Sequence, residues 1–132
     1  RRGTQMAQAE FVKALRDREE ISITVKGRRS GREVRLPVWF TLEGKTLWLL
    51  PMHGARTQWY RNVLADRMNT ERAGRHALAV VAHPRRARTA VRRVVEQFRK
   101  KYSAELVARY YDHSDAVVEV PLTPRTKRSV RR

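Results

Sequence analysis

The chain has 132 residues, 41% of them hydrophobic, and carries 30 Lys and Arg against 13 Asp and Glu for a formal net charge of +17. That length supports one sizeable core but not two ordinary domains, so residues 1–122 read as a single domain and residues 123–132 as a basic tail. The absence of cysteine excludes disulfides, thiolate metal sites and cysteine nucleophiles.

No window approaches the roughly 20 apolar residues of a membrane span, and the N-terminus lacks the apolar run of a signal peptide. A cytoplasmic chain is the expectation. The charge makes a polyanion the first partner to consider: nucleic acid, an anionic membrane or a phosphorylated small molecule. Arginines nevertheless occur in nearly every segment, as a compositional bias alone produces, so their placement matters more than their number.

In chain order, Met6, Ala9, Phe11, Val12 and Leu15 recur at near-helical spacing within residues 5–18, which predicts a first amphipathic helix ending near Glu20. The period then becomes two. Ile21, Ile23 and Val25 alternate with Ser22 and Thr24 as in a half-buried strand. Two glycines and a serine mark a turn from Lys26 to Gly31. Val34, Leu36, Val38, Phe40 and Leu42 then share one face of a second strand, with Arg35, Pro37, Trp39 and Thr41 on the other.

Glu43-Gly44 connects to Thr46–Leu50, apolar on both faces and so expected at a sheet centre, making a three-strand meander. A loop over 51–58 leads into a short helix from Trp59 to Leu64, with Trp59, Val63 and Leu64 inward. Residues 66–71 are ambiguous, with a strand as one reading. His76–Ala82 is a strand ended by Pro84. Val91, Val94, Val95, Phe98 and Tyr102 form a helical stripe opposite a basic face. Ser103 is placed to cap a helix over 104–111 that turns on Leu106, Val107 and Tyr110. Ala116–Val120 is a last strand, and the tail from Thr123 has no apolar period and is expected to be disordered. The element order predicts an α+β fold, mainly β: an antiparallel split β-barrel with helices packed outside.

Two constellations carry chemistry. Gly27-Arg28-Arg29-Ser30-Gly31-Arg32 gathers three guanidinium groups, a hydroxyl and two glycine backbones within six residues. Guanidinium forks match phosphate oxygens, and glycine lets backbone N–H groups approach the same anion. Arg35, on the face of Pro37 and Trp39, extends that basic patch along the strand. The second constellation is the loop His53-Gly54-Ala55-Arg56-Thr57-Gln58 running into Trp59-Tyr60-Arg61-Asn62. A helix N-terminus there offers unpaired N–H groups, and Asn62, a polar amide on an inward face, needs partners. The plain structural alternatives are a solvated hairpin turn and core aromatic anchors.

Gly27-Arg28-Arg29-Ser30-Gly31, then Pro37, a strand, a glycine loop and Trp59-Tyr60-x-Asn62-Val63, resembles the deazaflavin-dependent nitroreductase and quinone reductase family of split β-barrels. The likeness covers roughly residues 8–122. It implies that Arg28, Arg29 and Ser30 hold the acidic tail of the deazaflavin coenzyme F-420, and that Pro51, Met52, Gly54, Gln58, Trp59 and Asn62 line its ring. With Arg35 and Pro37 these make the expected cofactor site; FMN is the alternative cofactor.

The implied reaction is hydride transfer from the reduced ring to a quinone, nitro compound or similar electrophile, which needs orientation and exclusion of water more than a dedicated acid or base. Tyr60, Tyr110, Tyr111 and His53 are candidate proton donors with structural roles of their own, and no catalytic residue is assigned. His76, His83 and His113 lack metal-ligand spacing, so no metal is expected. Two other functions compete: nucleic-acid binding through the cations of 85–101 and the tail, and a non-catalytic flavin- or haem-binding barrel. A homodimer is expected, since split barrels often pair through their sheets.

Overall fold

The computed structural model describes residues 2–123, with side chains from residue 6 onward. The first helix is α1 (Arg2–Leu15). It stops short of the expected end near Glu20 because Asp17 adopts a left-handed backbone, φ 64°, and Arg16 and Arg18 donate instead to Lys13 and Leu15 in a tightened last turn. The alternating run after it is β1 (Ile21–Lys26), antiparallel to β2 (Glu33–Val38) with Ile23 opposite Leu36.

The single strand expected over 34–42 is two strands. β2 ends at Val38 and β3 (Phe40–Glu43) begins after a break at Trp39. β3 leaves the first sheet and pairs with β4 (Thr46–Leu49) in a second one. The meander is therefore replaced by two hairpins in two sheets. After α2 (Gln58–Ala65) come β5 (Met68–Ala73), β6 (His76–Val81) and β7 (His83–Arg85); α3 (Arg88–Tyr102), α4 (Ala104–Tyr110) and β8 (Val117–Pro121) complete the order. One sheet runs β2-β1-β5-β6 and the other β3-β4-β8-β7. Pro84 does not end the strand region but sits in β7, at a sheet edge, where a missing N–H removes no ladder bond. The ambiguous residues 66–71 supply β5, and Ser103 Oγ accepts the Leu106 N–H at 3.2 Å as the cap of α4.

The barrel interior holds Ile23, Val25, Leu47, Leu49, Val80, Val118 and Val120, closed by Phe11 and Leu15 of α1 and by Trp59, Tyr60 and Val63 of α2. The outer face of the second sheet carries Trp48, Leu50 and Val117 under Val91, Val94, Phe98 and Tyr102 of α3. β4 is thus covered on both sides, which is why its sequence is apolar throughout. Leu64 is exposed and Tyr60 fills the inward position expected of it; on α4, Tyr110 is exposed and the following Tyr111 is buried. Beyond Thr123 the expected tail lies outside the described residues. Among the described residues, no helix is long and apolar enough to cross a membrane.

β5 also brings a carboxyl inside. Glu71 stands between Ile23 and Leu78, fully buried, and among the described residues neither its carboxylate oxygens nor the Asn69 amide on the same face have a hydrogen-bond partner. Burial pushes the Glu71 carboxyl up from 4.5 to about 8. The folded chain keeps this proton where the unfolded chain has released it, so the group's contribution to stability is fully present below about 4.5 and is lost as pH rises through about 8. Urea denaturation of Glu71→Gln beside the unsubstituted chain isolates the effect: the glutamine variant gains relative stability steadily from pH 5 to pH 8, about the interval over which the two states differ in protonation.

Candidate functional site

The turn between β1 and β2 closes on itself: Gly27 N–H donates to Arg32 O at 2.8 Å, Gly31 N–H to Gly27 O at 2.9 Å, and Arg32 N–H to Ser30 Oγ at 3.1 Å. Gly31 takes φ 76°, which suits glycine. Arg28 reaches from the turn to α2. Its N–H and its Nη1 donate to Asn62 Oδ1 at 3.0 and 2.8 Å, and its Nη2 donates to Gln58 Oε1 at 2.8 Å. Asn62, a buried amide, has thereby found its partners. Desolvation, and then repulsion from Arg61 and Arg29, lowers the Arg28 guanidinium from its ordinary value. Arg28, Gln58 and Asn62 form one cluster that locks the turn onto α2. Arg29, Ser30 and Arg32 are exposed on the turn's outer side, where the N–H groups of Arg29 and Ser30 make no hydrogen bond within the described residues.

A groove of about 250 Å³ opens where the chain crosses from one sheet to the other. Pro37 and Trp39 form one wall and Leu50, Met52 and His53, leaving β4, form another, with Trp59 of α2 and Tyr111 after α4 closing the ends. Trp39 is fixed by parallel stacking on Tyr102, ring centroids 4.2 Å apart and planes 8° apart. Burial raises the Tyr111 phenol well above its usual value, with Tyr102 adding to the shift, so it stays neutral. A larger hollow of about 480 Å³ lies on α1 beside Lys45 and has no aromatic wall.

The loop after β4 is held from below. Gly54 takes φ 60°, and a Cβ there would come within 2.2 Å of Asp115 Oδ1 and 2.7 Å of His113 O. Asp115 accepts the Ala55 N–H at 2.9 Å and pairs with Arg86 at 3.1 Å and His113 at 3.3 Å. Partial burial pushes the Asp115 carboxyl up, but the Ala55 hydrogen bond, Arg86 and His113 together outweigh it and leave the group below its ordinary value. Pro51 is buried at the loop's start, its carbonyl accepting the Gly54 N–H at 3.2 Å.

Of the residues singled out in the sequence, Pro37, Met52 and Trp59 meet in the groove, and Arg28, Gln58 and Asn62 meet behind it. Pro51 and Gly54 shape the loop rather than line the groove. Arg29, Ser30 and Arg35 stay on the surface, and Arg35, opposite Thr24 on the edge strand, is not part of the groove wall. Sequence reasoning missed Asp115 and Asp112, which had the look of an ordinary polar turn and act across more than fifty residues on the loop at 53–55.

Four of the cations between residues 85 and 99 are paired with carboxylates of the chain, two of them on α3. Arg85 pairs with Glu119 at 2.8 Å, Arg86 with Asp115, Arg93 with Glu43 at 3.4 Å and Arg99 with Glu96 at 3.3 Å. Arg93 also lies over the Trp48 ring, 5.1 Å from its centroid.

A family model described as "Uncharacterized protein conserved in bacteria (DUF2255)" matches residues 11–121. No curated protein sequence matches the chain. Among solved structures, an F420-H2 dependent reductase is 18% identical with TM-score 0.62, the match covering 78% of this chain and 94% of that one. HutZ, the haem storage protein of Vibrio cholerae, is 15% identical with TM-score 0.63 and 89% of each chain covered. A domain-swapped dimer is 18% identical with TM-score 0.62, covering 88% of this chain and 96% of that chain. These likenesses show the fold, an α+β split β-barrel.

Two substitutions test the architecture of the site. Asn62→Ala removes the acceptor shared by the Arg28 backbone N–H and guanidinium, and thermal or urea unfolding should register a lower midpoint than in the unsubstituted chain. Gly54→Ala meets both a left-handed backbone and the Asp115 carboxylate, and the same measurement should show a loss of at least about 1 kcal/mol.

Proposed function

The chain belongs to the DUF2255 family, and from that premise and its split-barrel groove we propose that it binds a phosphorylated flavin-like cofactor, the deazaflavin coenzyme F-420 foremost, and works as an oxidoreductase. The observation that carries this reading is the pairing of a flat, aromatic-walled groove at the sheet crossing with an anion-ready turn locked to the same helix. Pro37, Trp39, Leu50 and Trp59 present apolar surface suited to a planar ring. Arg29, Ser30 and Arg32, with the free N–H groups of Arg29 and Ser30, suit the acidic end of such a molecule, and Arg35 extends the positive edge along β2. Arg28 acts as the brace: its guanidinium is spent on Gln58 and Asn62, so it positions the turn while its neighbours take the anion.

When bound, the reduced cofactor would supply a hydride to a quinone, nitro compound or similar acceptor. The protein's part is to hold two flat molecules against Trp39 and Trp59 and to keep water from between them. The groove is small for a ring and an acceptor together, which favours a homodimer in which a second copy completes it. A reducing cytoplasm is the setting this chemistry implies. The similar reductase depends on F420-H2 and HutZ stores haem, so a deazaflavin and haem are the two contents of the groove to be compared. Nucleic-acid binding is less favoured because Arg85, Arg86, Arg93 and Arg99 are already paired with carboxylates.

Fluorescence titration against coenzyme F-420, FMN, haem and a short DNA duplex tests the reading. Binding of F-420 at micromolar or tighter concentration is expected, and Arg29→Ala should weaken it by about tenfold through loss of a charge-assisted contact. Salt-sensitive DNA binding with no response to either flavin would overturn it.

A further inference from the structure

We propose that His53, oriented by Asp112, is the proton donor for the acceptor reduced in this groove. The inference rests on the groove being a flavin or deazaflavin site, and assigns a catalytic residue within it.

Hydride addition to a quinone leaves an anionic oxygen that takes up a proton, and an acid standing at the groove wall speeds that step without being required for it. Three titratable side chains line that wall: Glu20, His53 and Tyr111. Tyr111 is buried and its phenol is held well above the ordinary value, which makes it a weak acid. The Glu20 carboxyl has no hydrogen bond among the described residues that would orient it toward the groove. Histidine alone exchanges a proton with water near neutrality.

His53 is also oriented by hydrogen bonds. Its Nδ1 lies 3.1 and 3.2 Å from the two Asp112 oxygens, and its backbone N–H donates to the Thr57 hydroxyl at 2.8 Å. No protein group partners its Nε2 within the described residues, so the ring has one nitrogen committed and one available. This is the arrangement of an orienting carboxylate behind a working imidazole. The loop beneath is fixed by Asp115 through the Ala55 N–H, with Arg86 and His113 around that carboxylate. The imidazole side chain is 58% exposed at the mouth, where solvent can reload it.

In the step inferred, the reduced cofactor is oxidised and the acceptor reduced by the hydride. The Nε2–H bond of the imidazolium breaks, the acceptor O–H bond forms, and neutral imidazole remains with its Nδ1–H on Asp112. Water returns the proton.

The test uses the full chain loaded with reduced F-420 and mixed with 2-methyl-1,4-naphthoquinone in single turnover across pH 6–9, beside His53→Gln, His53→Ala and Asp112→Asn. F-420 affinity, read by fluorescence, should be unchanged within about twofold in all variants. The turnover rate of His53→Gln should fall by about tenfold or more at neutral pH and lose the decline with rising pH seen in the unsubstituted chain. Added imidazole should restore His53→Ala. On the unloaded chain, ring-nitrogen NMR should show Nδ1 protonated, a tautomer lost in Asp112→Asn. Normal binding with an unaltered rate and pH profile in His53→Gln, or no rescue by imidazole, overturns the role of His53 and leaves the cofactor reading standing. Failure of the unsubstituted chain to bind either flavin overturns both.

Discussion

A strand that leaves one sheet for another must find partners for the peptide groups it turns outward, and here the Tyr102 hydroxyl provides them. It accepts the Phe40 N–H at 3.1 Å and lies 3.0 Å from Phe40 O and 2.6 Å from Glu19 O. Burial pushes the Tyr102 phenol up to about 12, so the donor is present throughout the ordinary pH range. Lys101 adds a hydrogen bond to Phe40 O at 2.9 Å and sits over the Phe40 ring, 3.4 Å from its centroid. Burial, opposed by Glu19, lowers that ammonium to about 8. The end of α3 is thus tied to the start of β3 and to the approach to β1. Without that tie the crossing at Trp39 would carry unpaired peptide groups, and the groove it walls would have no fixed shape.

The positive charge resolves into separate roles once partners are known. Arg28 is structural, joining the turn to α2; Arg85, Arg86, Arg93 and Arg99 are paired within the chain, each at partly exposed positions where an ion pair contributes little stability by itself. What remains available at the turn is the group Arg29, Ser30 and Arg32. Net charge alone points to any polyanion; the proposed cofactor instead uses only the cations of the turn between β1 and β2.

The fold was legible wherever burial imposes a period. β1, the two-faced β4, the stripe of α3 and the Ser103 cap all follow from local pattern. The break at Trp39 was not, because inward and outward residues keep alternating through it while the strand changes sheets. Leu64 and Tyr60 exchanged expectations for a similar reason: on a helix of two turns the apolar residues outnumber the buried positions. Asn62 announced itself as an inward amide, and its partner Arg28 turned out to be one of the residues picked for the anion. Asp112, Asp115 and the buried Glu71 gave no sequence signal, since their importance lies in contacts across the barrel rather than in their neighbours along the chain.

The central claim is that the crossing at Pro37–Trp39 and the turn at Gly27–Gly31 together hold one flavin-like molecule. A crystal structure of the chain with coenzyme F-420 tests it most directly. The account predicts the ring against Trp39 and Trp59, with the acidic end at Arg29 and Ser30 and the Arg28–Asn62 brace unbroken. A ring seated elsewhere, or an acidic end held by the α3 arginines instead of the turn, would contradict it.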